Sequence, residues 1–278
     1  MKEFKSFYKQ VGGNEGNKCY YPIRLDTYGR GCQHDCAYCY AKSLLSFRGM
    51  WDSQEPAVPS MGKIRARIKR IPAGTIVRLG GMTDCFQPIE KKHRITYQTI
   101  QSLNEQGVGY LIVTKSAFVA DPEYLKIYDP ALAHIQVTVT STDDRTAAMY
   151  EHASPPSHRV KAIHKLSELG IDTAIRLSPL MEEYIDFDVL NSWGMQKAVV
   201  EFLRVNSWIK KWFDIDYSKY TLRQSGYWHL PLEEKVRIVN KIKIPMVTVC
   251  EDFTEHYVYW RDNFNPARSD CCNLRRLF

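Results

Sequence analysis

Gly31-Cys32-Gln33-His34-Asp35-Cys36-Ala37-Tyr38-Cys39-Tyr40 places three cysteines, Cys32, Cys36 and Cys39, at C-x3-C-x2-C spacing. Thiolates this close on a short loop can reach one soft metal centre, because Cys sulfur is a strong ligand for iron–sulfur clusters and for zinc. A four-iron cluster offers four irons, so three cysteines leave one open to a ligand that is not protein. Zinc is the other chemistry open to this loop. A structural zinc site takes four protein ligands, so the fourth would come from His34 or from the distant Cys271 and Cys272. The spacing departs from the paired pattern usual for zinc. A disulfide framework fits a chain of 278 residues poorly, and Met1 to Gly12 does not read as a secretory signal. The eight cysteines are therefore expected to be reduced thiols and cluster ligands in a cytoplasmic protein.

The elements that position this loop follow from the apolar pattern. Residues 1–18 read as a polar lead-in, and Cys19 to Tyr28 as a strand entering the cysteine loop. Helix from Ala41 to Phe47 and a basic helix from Met61 to Ile71 follow, then a second strand, Thr75 to Leu79, ending in Gly80-Gly81. The alternation continues with helix Pro88 to Gln106, strand Gly109 to Thr114, helix Pro122 to Tyr128 and strand His134 to Thr140. Helical segments Asp143 to Glu151 and Arg159 to Leu169 flank a Pro155-Pro156 break. Strand Asp172 to Leu177, helix Glu182 to Leu190 and strand Ala198 to Leu203 complete six units. Short apolar strands alternating with helices make a parallel sheet covered by helices, and six such units curl into a partial barrel.

After Arg204 an aromatic stretch, Trp208 to Trp228, reads as a cover for the barrel mouth. Helix Leu232 to Ile242 and a further strand, Pro245 to Cys250, follow. The expectation is one domain over residues 1–278, with the barrel core at 19–205 and a C-terminal extension at 206–278. A charged fraction of 25% and a hydrophobic fraction of 44% are ordinary for a soluble protein. No run is long and apolar enough for a membrane span. The net charge of +7 is a weak pointer to a nucleic-acid partner, because the basic residues are scattered.

With Tyr38 before the third cysteine, the loop resembles the C-x3-C-x-aromatic-C hallmark of the radical S-adenosylmethionine (SAM) superfamily. That resemblance implies an α/β partial (β/α)6 TIM-type barrel, a [4Fe–4S] cluster on Cys32, Cys36 and Cys39, and SAM on the open iron. An electron from the cluster would break a carbon–sulfur bond of SAM and release a 5'-deoxyadenosyl radical; an external donor such as flavodoxin or ferredoxin would supply it. Gly80 and Gly81 resemble the segment that receives the SAM amino group, where a residue without Cβ allows close backbone approach. Tyr38 resembles the position that meets the adenine. Lys115, Ser141, Arg176 and Ser178 are candidates for the ribose hydroxyls and the methionine carboxylate, a group that a guanidinium matches with two N–H donors.

Thr83-Asp84-Cys85-Phe86-Gln87-Pro88-Ile89-Glu90 carries the resemblance further, to the T-D-x-x-Q-P-x-E string of the spore photoproduct lyase branch. In that family a cysteine of this region donates hydrogen to a substrate radical, a role for which Cys85 is the candidate although its offset from Asp84 differs. Asp84 is the companion catalytic candidate. Glu251-Asp252-Phe253-Thr254-Glu255-His256-Tyr257 is similar to the queuine lyase family. Its members remove the cyclopentenediol of the deazaguanine base queuine and leave 7-aminomethyl-7-deazaguanine for queuosine salvage. Asp84, Glu201, Arg204, His229, Glu251 and Asp252 are the substrate candidates, and Glu251, Asp252 and Glu255 give an acidic rim suited to a protonated amine. A thymine-dimer repair lyase and a non-enzymatic zinc module are the alternatives.

Overall fold

The computed structural model describes residues 5–9 and 18–275. Their strands are β1 (Phe7–Lys9), β2 (Ile23–Leu25), β3 (Ile76–Leu79), β4 (Gly109–Thr114), β5 (Ala133–Thr138), β6 (Asp172–Leu180), β7 (Lys197–Phe202), β8 (Leu222–Gln224), β9 (Tyr227–His229) and β10 (Met246–Val249). Eight of them form one sheet in the order β1-β2-β3-β4-β5-β6-β7-β10. All neighbours are parallel except β1, which runs antiparallel to β2. The partial barrel is as expected, and the strand expected at Pro245 to Cys250 extends it as β10 beside β7. Part of the predicted lead-in is β1, and most of the rest lies outside the described residues.

Helices cover the outer face. The helix expected over Pro88 to Gln106 divides into Glu90–His93 and Ile95–Gln106, because Arg94 adopts a left-handed conformation (φ 53°). The buried Glu90 carboxylate accepts from the N–H groups of Thr96 (3.0 Å) and Tyr97 (2.9 Å) and so caps the second helix. Pro156 opens the helix Pro156–Glu168, a position where its missing N–H costs nothing. The helix Thr254–Asn263, absent from the sequence reading, closes the chain's last unit.

The inner face differs from an ordinary apolar core. Arg24 of β2, Arg78 of β3 and Arg176 of β6 line the lumen with Thr138. On β5 the polar residues His134, Gln136 and Thr138 recur at period two, hence on one face. All are buried, and Gln136 accepts from Arg176 at 2.7 Å. The outward partners Ala133, Ile135 and Val137 belong to the main hydrophobic core.

The extension has two destinations. Phe213 packs against Tyr38, Tyr150 and Tyr184, and Lys42 lies over the Trp212 ring, so the aromatic stretch sits beside the cysteine loop. The final segment instead reaches the opposite, N-terminal ends of the strands. Lys197 Nζ at the start of β7 donates to the Asn273 carbonyl (2.8 Å), and the Arg275 N–H donates to Asp172 at the start of β6 (2.8 Å).

Candidate functional site

The cysteine loop is held by the segment that follows β3. Thr83 Oγ1 donates to the Tyr28 carbonyl (2.6 Å). Asp84 Oδ2 faces His34 Nε2 at 3.3 Å and accepts from the Lys115 N–H at 2.6 Å, while Oδ1 accepts from Thr114 Oγ1 at 2.7 Å. Gln87 Oε1 accepts from the Gln33 N–H (2.9 Å), and Gln33 Oε1 accepts from the Ile89 N–H (2.6 Å). Glu90 accepts from the Tyr28 and Tyr124 hydroxyls. The T-D-x-x-Q-P-x-E string is thus a cradle for residues 28–34. Burial pushes the Asp84 carboxyl up, but His34 and the donors around it outweigh that and hold it at about 2.

Two glycines fix the shape of this region. A Cβ on Gly80, whose φ is +80°, would lie 2.7 Å from the Val113 carbonyl oxygen; one on Gly31 would lie 1.6 Å from that of Asp52. The obstacle at Gly80 is the next strand, so the expected reason for glycine there, approach of a ligand, gives way to strand packing. Gly81 contributes its N–H to Asp26 Oδ1 (2.7 Å) and its carbonyl to the Tyr40 hydroxyl (2.8 Å).

Cys32, Cys36 and Cys39 line one cavity with Gly80, Gly81 and Asp84. Burial raises all three thiols, Cys36 to about 12. A buried thiolate needs a compensating cation, which a soft metal supplies. His34, the nearby candidate for a fourth zinc ligand, faces Asp84 instead. The donor set therefore suits an iron–sulfur cluster.

Most of the remaining candidates reach the same cavity. Tyr38, Lys115, Arg176, Ser178, Glu201, Arg204, Glu251 and Asp252 line it, and Lys115 Nζ lies 5.6 Å from the Tyr38 ring centre. Tyr38 also donates its hydroxyl to Glu151, which pairs with the wholly buried Arg159. Arg176, expected for a carboxylate ligand, is committed to Gln136 and to Glu201 Oε2 (2.6 Å); Ser178 donates to that same oxygen (2.8 Å). Burial pushes Glu201 up, but Arg176 and Arg204 outweigh it and hold it at about 2.

Two candidates lie elsewhere, and a third stands behind the lining. Cys85 is fully buried in the hydrophobic core, its carbonyl accepting from Thr96 Oγ1 (2.6 Å), because the turn that aims Asp84 inward sends the next side chain away. Ser141 is buried off the cavity and accepts from the Asp143 N–H (3.0 Å). His229 is buried against Phe253 just behind the lining, with a ring nitrogen within 4.8 Å of carboxylate oxygens of Glu251 and Asp252. The acidic rim also requires correction: Glu251 pairs with the buried Lys235, and Asp252 with Arg204, so both carboxylates are neutralised. Arg204 in turn lies over the rings of Tyr40 (4.4 Å) and Tyr227 (5.5 Å).

The sequence reading missed Arg24, Arg78, Cys19 and Cys250, which line the same cavity with Cys271 and Cys272. Alternation along β2 and β3 puts the two arginines inward. No local spacing links the four cysteines, which come from three separate segments.

The model of the radical SAM superfamily matches residues 27–189. The chain belongs to that superfamily. Radical SAM proteins use a [4Fe–4S] cluster and SAM, and a structure of a spore photoproduct lyase variant contains both SAM and a dinucleoside spore photoproduct. An uncharacterised protein of Methanocaldococcus jannaschii is 22% identical over 163 residues, 58% of this chain and 61% of that protein, so the match spans less than two thirds of the relative. A spore photoproduct lyase variant superposes with a TM-score of 0.67 at 14% identity, over 89% of this radical SAM chain and 80% of that one. Streptococcus suis SuiB bound to the precursor peptide SuiA gives 0.53 at 12%, over 84% and 50%. At these identities the likeness is one of fold. No helix among the described residues is long and apolar enough to cross a membrane.

Proposed function

We propose that this radical SAM protein is a lyase that fragments a small modified base, with queuine as the substrate, cleaved to 7-aminomethyl-7-deazaguanine with loss of its cyclopentenediol group. The observation that carries the reading is that the cysteine loop, the glycine turn and the Arg204–Asp252 pair line one cavity. When bound, the cluster and SAM supply hydrogen-atom abstraction from carbon, on an electron from an external donor such as flavodoxin or ferredoxin.

Cys32, Cys36 and Cys39 hold the cluster; Gly81, Tyr38 and Lys115 line the space beside it and suit SAM. The Arg204–Asp252 pair matches a guanine-like edge better than a lone carboxylate would. Such an edge presents a carbonyl acceptor next to ring N–H and amino donors, and a guanidinium beside a carboxylate offers the complement. Tyr40 and Tyr227 flank the guanidinium with aromatic surface on which a flat base can stack.

The second reading, repair of a thymine photoproduct in nucleic acid, is favoured by the spore photoproduct lyase structures and by the net charge of +7. Anaerobic reconstitution with SAM, dithionite and either queuine or a dimer-containing oligonucleotide, followed by product masses, separates the two. Asp252→Asn is expected to lower queuine turnover at least tenfold while SAM cleavage without substrate persists. Loss of both together would count against a substrate role for Asp252, and dimer reversal without queuine turnover would replace the first reading by the second.

A further inference from the structure

We propose that the groove beside the cysteine loop, walled by residues 49–60 and the helix Met61–Ile68, is the docking face for the external electron donor, and that the donor it fits is an acidic flavodoxin. The inference rests on the cluster assignment and not on the choice of base. No residue lining this groove lines the central cavity. Residues 49–60 form a strap stitched to the chain just ahead of Cys32. The Asp52 N–H donates to the Arg30 carbonyl (2.7 Å), and Gly29 and Ala57 exchange N–H···O bonds (3.0 and 2.6 Å). Gly31 packs so tightly on the strap that a Cβ there would stand 1.6 Å from the Asp52 carbonyl oxygen. The groove thus opens on the covalent neighbours of a cluster ligand, a short path for an electron.

Its chemistry suits a negative partner. Lys5, Arg30, Lys63 and Arg67 line the groove against only two carboxylates, Asp52 and Glu55. Asp52 Oδ1 is already engaged, accepting from the N–H groups of Gln54 (2.9 Å) and Glu55 (3.1 Å). Residues 56–83 contain no Asp or Glu, and the exposed Arg65, Lys69 and Arg70 extend the positive field past the groove. Apolar surface lies among the cations. Met50 and Trp51 line the groove, Val58 beside them is 39% exposed, and Phe47, just ahead of the wall at Gly49, is 76% exposed. An apolar centre within a charged rim is the anatomy of a protein interface. A flavodoxin presents the complement, the apolar edge of its flavin ringed by carboxylates. A ferredoxin, whose cluster lies under backbone loops, offers no such edge, and nucleic-acid phosphates would match the cations but leave the apolar surface uncovered. Opposite charge also orients the two proteins and speeds their encounter. On docking, one electron passes from the anionic flavin hydroquinone, which becomes the neutral semiquinone, to the oxidised cluster; no bond breaks and no proton moves.

Calorimetric titration of oxidised flavodoxin into the reconstituted full chain tests the face directly. The wild type is expected to bind, and more weakly as salt rises. Lys63→Glu/Arg67→Glu, at solvent-facing helix positions, and Phe47→Glu, which sets a like charge against the partner, should each raise Kd about tenfold or more. With dithionite as reductant both variants should release 5'-deoxyadenosine from SAM within about twofold of wild type, and with reduced flavodoxin about tenfold more slowly. Equal affinity of wild type and either folded variant overturns the proposal, as does a wild type that binds no flavodoxin or binds ferredoxin in its place. Should the double charge reversal unfold the chain, Phe47→Glu decides alone, because a side chain so exposed contributes little packing.

Discussion

Asp84 uses its carboxylate on the protein itself: Thr114, the Phe86 and Lys115 backbones and His34 all address it. It is a positioning residue for the cysteine loop. Asp84→Ala leaves buried donors unsatisfied and should cost about 3 kcal/mol, read as a shift of the urea midpoint, together with poorer iron retention. Cys85 makes the opposite prediction. Its side chain faces the core, so Cys85→Ala should cost about 1 kcal/mol and leave product formation within twofold of wild type. Loss of product with SAM cleavage retained would restore the donor role expected from the sequence. Lys235 pairs with Glu251 and lies 3.1 Å from His256 Nδ1 in a buried position. Removing its charge as Lys235→Met strands the Glu251 carboxylate and should destabilise the apo chain by about 3 kcal/mol.

At the scale of elements, the turn after β3 decides whether the loop is held. Gly80→Ala adds a Cβ against the Val113 carbonyl at a positive φ, so the turn must move; thermal unfolding should show a loss of about 2 kcal/mol and reconstitution a lower iron yield. Much of this architecture was legible beforehand. Strand Gly109–Thr114 was read to the residue, and the cysteine loop and glycine turn were placed at strand ends, because apolar periodicity and punctuation are local signals. The division at Arg94 was not legible, since it depends on Glu90 capping the next helix. Nor was the pairing of Glu251 and Asp252 with Lys235 and Arg204: charge signs along a sequence do not reveal which opposite charges the fold delivers. The helix at Thr254–Asn263 escaped because its aromatic and charged residues carry little amphipathic pattern.

At the scale of the whole molecule, Asp172 joins three distant segments. His134 Nδ1 (2.8 Å), Lys197 Nζ (2.6 Å) and the Arg275 N–H (2.8 Å) converge on it. Burial pushes its carboxyl up, but His134, Lys197 and Arg275 outweigh that and lower it to about 2. The folded value lies below the unfolded one, so the stabilisation is complete above about pH 4 and disappears as pH falls toward 2. Urea unfolding of the apo chain should show Asp172→Asn about 2 kcal/mol weaker at pH 6, with the gap closing by pH 2.

The bond from Tyr21 to Asp270 joins positions roughly 250 residues apart, a separation that delays closure of such contacts. During synthesis the ribosome releases the cysteine loop and its cradle long before Cys271 and Cys272 emerge. A nascent chain can therefore shape its first thiol loop early, whereas the contact of Tyr21 with Asp270 has to wait until that distant aspartate has emerged.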